Sequence, residues 1–275
     1  LNSTLGRYFK IPTYTMLGFQ ERNVFVNKNS SYTRSDHYVA GIEYNLTKAS
    51  RFTIEGFIKK YSNYPLSIID GVSLANKGGG FEVLGNEAIL SEGKGQSYGT
   101  EILFQQKLAN NFYGVFAYTY FFSEFNGLDG VLRPSVWDSR NLISFSGGYK
   151  LKRNWEISAR WRYAGKNPYV PTDLDSTIFS YPEIILDFDR IGDLRLDVFN
   201  QADIRFDKKW NFNNLSFNFY FEIQNFLAQP NPTPEEYGLN RSEDGTVITP
   251  KSLVIVATNE GNSAPLPTFG FVLFF

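Results

Sequence analysis

Few residues in this chain could carry covalent chemistry. His37 is the single histidine and there is no cysteine. That excludes disulfides, thiolate nucleophiles and cysteine-ligated metal. It also leaves neither a two-histidine metal site nor a Ser-His-Asp arrangement to be read around His37, which reads as a solvated polar residue near a loop edge. Carboxylates are the remaining candidates. Asp203 with Asp207, and Glu43 with Glu55, have the residue type for general acid–base work. Their alternative role is structural, as members of ion pairs lining a polar interior. The acidic stretch holding Asp173, Asp175, Asp187, Asp189 and Asp193 offers hard oxygen ligands of the sort Ca²⁺ takes, but its spacing matches no EF-hand, and no metal is expected. Gly78, Gly79 and Gly80 are followed by neither Lys-Ser/Thr nor a helix, so they form no phosphate loop.

The elements that must position these residues are strands. Side chains alternate across an extended strand, and several stretches alternate cleanly. In residues 155–164, Trp155, Ile157, Ala159, Trp161 and Tyr163 oppose Glu156, Ser158, Arg160 and Arg162. Ala202, Ile204 and Phe206 oppose Asp203, Arg205 and Asp207. Leu215, Phe217, Phe219, Phe221 and Ile223 oppose Asn218, Tyr220, Glu222 and Gln224. The same pattern sets Tyr38, Ala40, Ile42 and Tyr44 against Glu43, Phe52, Ile54 and Ile58 against Glu55 and Lys59, and Ile102 and Phe104 against Glu101 and Gln105. Residues 112–125 are so aromatic that the two faces do not separate by eye. The closing stretch puts Phe269, Phe271, Leu273 and Phe275 on one side.

Ten strands of about ten residues follow, near residues 1–10, 37–46, 51–61, 97–108, 112–125, 140–151, 155–164, 201–210, 215–225 and 267–275. Their connections alternate strictly: long loops at 11–35, 65–96, 126–138, 165–199 and 227–264, tight turns between. Every long loop thus falls at one end. Aromatics make 17% of the chain while mean hydropathy is negative, at −0.28. No apolar run approaches the roughly 20 residues of a membrane helix. The 27 basic and 28 acidic residues nearly cancel, which gives no reason to expect nucleic acid. Burying the charged faces in an oily core would cost several kcal/mol per unpaired charge. The expected fold is therefore all-β: an antiparallel up-and-down transmembrane β-barrel, about ten strands of it here, with the apolar rows toward lipid and a polar lumen. Trp155 and Trp210 flank tight turns and Trp161 lies toward the long loops, as members of interfacial aromatic girdles.

The last residues carry a resemblance. Thr268, Gly270, Leu273 and Phe275 resemble the outer-membrane assembly signal that ends such barrels. Residues 37–44, 97–101, 222–226, 135–140 and 167–171 are similar, in order and spacing, to the barrel of TonB-dependent outer-membrane transporters. The resemblance implies a barrel of about 22 strands, of which residues 1–275 would be the C-terminal portion, with plug domain and earlier strands outside this sequence. It implies multi-pass residence in the cell outer membrane and uptake of a nutrient (siderophore, glycan, peptide or similar) by loop capture and plug gating. No enzyme activity and no cofactor are implied. Partners would be outer-membrane lipid, the protein's own plug, the TonB complex and the nutrient, with a surface lipoprotein as a further class. Glu43, Glu55, Lys59, Glu101, Gln105, Glu156, Arg160, Arg162, Asp203, Arg205, Asp207 and Glu222 would face the lumen and plug. Two other classes stay open: an autonomous ten-stranded outer-membrane hydrolase, and a passive pore or structural barrel in an envelope complex.

Overall fold

The structure is a computed structural model, and it describes residues 1–78, 84–257 and 263–275. Gly79 and Gly80 lie outside the described residues. Ten strands form one antiparallel sheet in chain order: β1 Asn2–Lys10, β2 Thr33–Asn45, β3 Ser50–Ser67, β4 Ile89–Ala109, β5 Phe112–Asn126, β6 Asn141–Lys150, β7 Trp155–Ala164, β8 Phe199–Asn211, β9 Ser216–Gln224 and β10 Leu266–Phe274. A short strand, Leu132–Pro134, adds to the end of β5. Each neighbour pair is joined by the chain itself, the up-and-down meander that the alternation of long loops and tight turns predicts. Among the described residues β1 and β10 are the two sheet edges. Among the described residues no helix is long and apolar enough to cross a membrane, which says nothing of a β-barrel.

Away from irregularities near strand ends, the register carries the two faces across the sheet, because opposed residues share a face and a one-residue shift would invert every side chain. On one face Leu5 pairs with Tyr38, Tyr38 with Ile58, Ile58 with Tyr98 and Tyr98 with Phe122. Further along, Phe116 pairs with Phe145, Phe145 with Trp161, and Ile157 with both Tyr149 and Phe206. Phe206 then meets Phe221, and Phe221 meets Phe269. The register also separates the faces of β5: Phe116, Tyr118, Tyr120 and Phe122 join this apolar face, while Val115, Ala117, Thr119 and Ser123 take the other.

The apolar face has a defined end. Arg7, Asp36, Lys60, Gln96 and Glu124 form one transverse row in register on it. On β5 the apolar residues from Phe112 to Phe122 cover about 33 Å at roughly 3.3 Å per residue, or about 25 Å of height when tilted by ~40°.

β3 and β4 are longer than alternation predicts, reaching Ser67 and starting at Ile89. The extension past Tyr61 contains two register irregularities, around Tyr64 and Leu66. Bulges change the inward–outward phase, so residues 65–67 and 89–96 read as loop in the sequence. Above them the connections fold into their own small core. Val72, Val170 and Ile191 bury together with Phe188 against them. Met16, Leu74 and Ile89 form a second cluster.

Candidate functional site

The polar face gathers the residues that the alternation assigns to it, in separate groups. On β8, the Arg205 guanidinium donates two hydrogen bonds of 2.8 Å to the Asp207 carboxylate. Its other terminal nitrogen lies 3.6 Å from Glu222 on β9, and its plane lies 3.9 Å from the Tyr220 ring centre. Asn218 donates to Asp207 at 3.0 Å. The Tyr113 hydroxyl donates to Glu156 beside this group. Toward the long loops, buried Asp203 accepts from Gln201 at 3.1 Å and from the Asn225 backbone N–H at 2.9 Å. Arg160 stands 3.8 Å from Asp203, and Arg162 donates to Gln201 at 3.0 Å. At the other side of the sheet Arg51 bridges Glu43, at 3.3 Å, and Gln105, at 2.9 Å.

Glu55 and Glu101 sit directly opposite each other on β3 and β4. Neither forms an ion pair among the described residues, and Glu55 takes one hydrogen bond from Asn2 at 3.0 Å. Opposed like charges destabilise a sheet. Lys59 pairs in register with His37 and Ser97 and lies over Phe57. His37 itself shares a 2.7 Å hydrogen bond with Ser35 and tilts against Tyr8.

Trp155, directly after one tight turn, and Trp210, directly before another, both lie 5.4 Å from the Lys208 ammonium. Trp161 sits on the same face and its indole N–H donates to Asn200 at 2.8 Å. In the closing strand Thr268 opposes Glu222 and Gly270 opposes Tyr220, while Leu273 opposes Phe217. The Tyr220 ring lies over Gly270, 2.5 Å from where a Cβ would stand, and would have to turn aside for any larger residue.

Above the sheet, the loops build an assembly that alternation does not reveal. Asp138 is fully buried. It accepts from Arg195 at 2.9 Å and from the Ser123 backbone N–H at 2.8 Å, and it forms an ion pair with Arg140 at 2.9 Å. Arg195 also donates to the Asp138 and Lys166 carbonyls, at 2.7 and 2.9 Å. One side chain therefore ties the loop after β7 to the loop before β6. Lys77 plays a similar part nearer the first loops. It contacts Asp70 at 2.5 Å and Glu87 at 2.7 Å, and Glu87 also accepts from Ser67. Burial works against the Lys77 charge, but its hydrogen bonds to Asp70 and Glu87 more than offset that and hold it above the ordinary lysine range.

Between these loops lies a cavity of about 800 Å³. Its walls come from residues 167–172, from Leu174, Ile184, Leu186, Leu194 and Leu196, and from Pro234 to Tyr237 with Val256. Two short ribbons frame it, Pro168–Tyr169 with Leu194–Arg195, and Glu236–Leu239 with Leu253–Ala257. The acids of the loop after β7 are spread through it: Asp173 and Asp187 cap short helices and Asp193 pairs with Arg190. Among the described residues no three acids gather as a metal-ligand group.

Solved structures share this fold. The ferripyoverdine receptor of the outer membrane of Pseudomonas aeruginosa matches with a TM-score of 0.58 at 13% identity, over 99% of this chain and 30% of that one. The ferric citrate transporter FecA matches at 0.58 and 14%, over 99% and 35%. The ferric-catecholate import receptor Fiu from K12 E. coli matches at 0.53 and 13%, over 92% and 29%. This chain has the fold of the C-terminal barrel of TonB-dependent outer-membrane receptors. It spans about a third of the length of the receptors it matches. At these identities the likeness is one of fold. No protein-family model matches the chain, and no curated protein matches it. The loop cavity stands at the end of the sheet where the long connections lie.

Proposed function

We propose that this chain is the barrel portion of an outer-membrane receptor that takes up a nutrient at the expense of TonB-coupled energy. The single observation that carries the reading is the two-faced meander: an apolar face about 25 Å tall, a face of charged side chains behind it, and every long loop at one end. Such a sheet leaves no face for an oily protein core. Its apolar rows suit lipid, where all backbone groups must pair within the sheet. Its charged rows suit a wet lumen holding a polar plug. Opposed Glu55 and Glu101, without a cation among the described residues, favour a basic partner from such a plug. The loops then capture the nutrient, and the plug moves when TonB engages it. Trp155, Trp161 and Trp210 anchor the wall at the two interfaces, and the stretch from Thr268 to Phe275 guides its insertion. The reading is one of gating and not catalysis.

The test is uptake by cells carrying the full-length protein, with and without TonB and a proton gradient. Loss of nutrient-dependent growth on removing either is expected. Ion conductance through the purified protein in planar bilayers without any energy source would instead favour a passive pore.

A further inference from the structure

The loop cavity has a chemical character that narrows what it can hold. Its walls are aliphatic, from Val170, Leu174, Leu186, Leu194 and Val256. Its two cations are already engaged, Lys77 by Asp70 and Glu87 and Arg190 by Asp193. The acids on its rim are not. Glu235 and Glu236 are exposed, and neither forms an ion pair among the described residues. Glu235 instead accepts from the Tyr237 hydroxyl, and that hydrogen bond pushes the phenol up to about 12. Burial and the same carboxylate raise Tyr169. The surrounding sequence agrees: residues 165–198 hold seven acids against three bases, and residues 225–265 five against two.

We infer that this cavity binds an aliphatic cation of the basic-peptide class, with an apolar side chain against Leu186 and Val256 and an ammonium at Glu235 and Glu236. The inference rests on the uptake reading for its purpose and on the cavity alone for its chemistry. An anionic iron chelate would need free guanidinium or ammonium donors; here Lys77 is held between two carboxylates and Arg190 faces Asp193 at 3.5 Å. It would also meet like charge on the rim, which costs affinity and slows association. A cation gains from both features, and a cavity of this size with mostly apolar walls and a few polar groups is of the usual kind for small ligands.

The experiment is calorimetric titration of the full-length protein in detergent with three probes: the amide of Leu-Lys-Leu, the peptide Leu-Glu-Leu, and ferric citrate. The cationic amide should bind. Replacing Glu235→Gln and Glu236→Gln together should weaken it on the order of tenfold, and Leu186→Asp should weaken it further. Each variant is checked for the heat-resistant electrophoretic migration of a folded barrel. Tighter binding of ferric citrate or Leu-Glu-Leu overturns the inference, and so does cationic binding indifferent to the two glutamines. A second arm follows radiolabelled amide into cells. Binding in detergent together with uptake that ignores the proton gradient would overturn the uptake reading and leave the cavity's chemistry standing. Energised uptake of ferric citrate with no amide binding would do the reverse.

Discussion

Arg195 and Asp138 meet at 2.9 Å, although 57 residues of chain separate them. The carboxylate is fully buried and also serves Arg140 and the Ser123 N–H. The loop after β7 is therefore held by a charge pair whose carboxylate is fully buried. Asp138→Ala takes the carboxylate away from two guanidinium groups and a backbone donor, leaving Arg195 only its carbonyl partners, and removing one partner of a buried pair costs about 3–5 kcal/mol. The expected result is selective proteolysis within residues 165–198 of an otherwise folded protein. Arg195→Ala should act in the same direction, and the double variant should fall short of the sum. Additive effects would show that the two side chains do not act as a unit.

Ile102 and Leu103 are neighbours in β4 with opposite fates. Ile102 pairs with Ile54 and Tyr118 on the apolar face, and Leu103 with Thr53 and Ala117 on the other. In lipid, Ile102→Arg should cost about 2–4 kcal/mol, as an arginine near the midplane of a membrane barrel does. Leu103→Arg places the same charge on the polar face and should cost less. Urea titration of the full-length protein in phosphatidylcholine vesicles measures both. Equal costs would remove the distinction between the faces.

These two cases also separate what the sequence makes legible from what it hides. Alternation alone puts Ile102 and Glu101 on opposite faces, and the register of β4 agrees. The reason is local: a period of two needs no knowledge of the neighbour strand. It fails on β5, where aromatic residues occupy both faces and only pairing with β4 and β6 tells Phe121 from Phe122. It fails again beyond Tyr61, where bulges break the phase. The Asp138 clamp gives no periodic signal, because its partners come from Ser123, Arg140 and distant Arg195. A buried carboxylate in a loop looks in sequence like any solvated aspartate. The cavity is hidden for the same reason, since residues 167–172 and 234–237 converge only through loop tertiary structure.

Gly99 sits on the polar face where the neighbouring strand leaves no room for a side chain. A Cβ there would lie 2.2 Å from the Tyr120 carbonyl oxygen and 2.8 Å from the Phe121 Cα, both main chain. Main chain cannot rotate aside, so Gly99→Ala should separate β4 from β5 at a cost of about 1–3 kcal/mol. Gly56, on the adjoining strand, is the control: its added Cβ would meet nothing closer than 3.9 Å. The urea midpoint should fall for Gly99→Ala and hold for Gly56→Ala. A matched fall would mean that lost glycine, and not close approach, is what the sheet feels.

Asp173 offers a pH test of the loop assembly. It caps the short helix α1, Leu174–Ser180, accepting from the Ser176 N–H at 3.0 Å and the Ser176 hydroxyl at 2.5 Å. These hydrogen bonds, the hydroxyl's first, hold its carboxyl below the ordinary 3.8. A group whose folded-state value is depressed lends stability above its unfolded value and withdraws it as pH falls through the folded one. The helix start should thus be intact at neutral pH and loosen only below about pH 4. Hydrogen exchange at the Ser176 and Thr177 amides, corrected for intrinsic rates, reads this directly. Protection should drop on acidification in the native chain. In Asp173→Asn, which can still accept a capping hydrogen bond but cannot titrate, protection should be lower at neutral pH and flat. The same acid-induced drop in both would assign the effect to another group, and the cap would then owe nothing to the charge of Asp173.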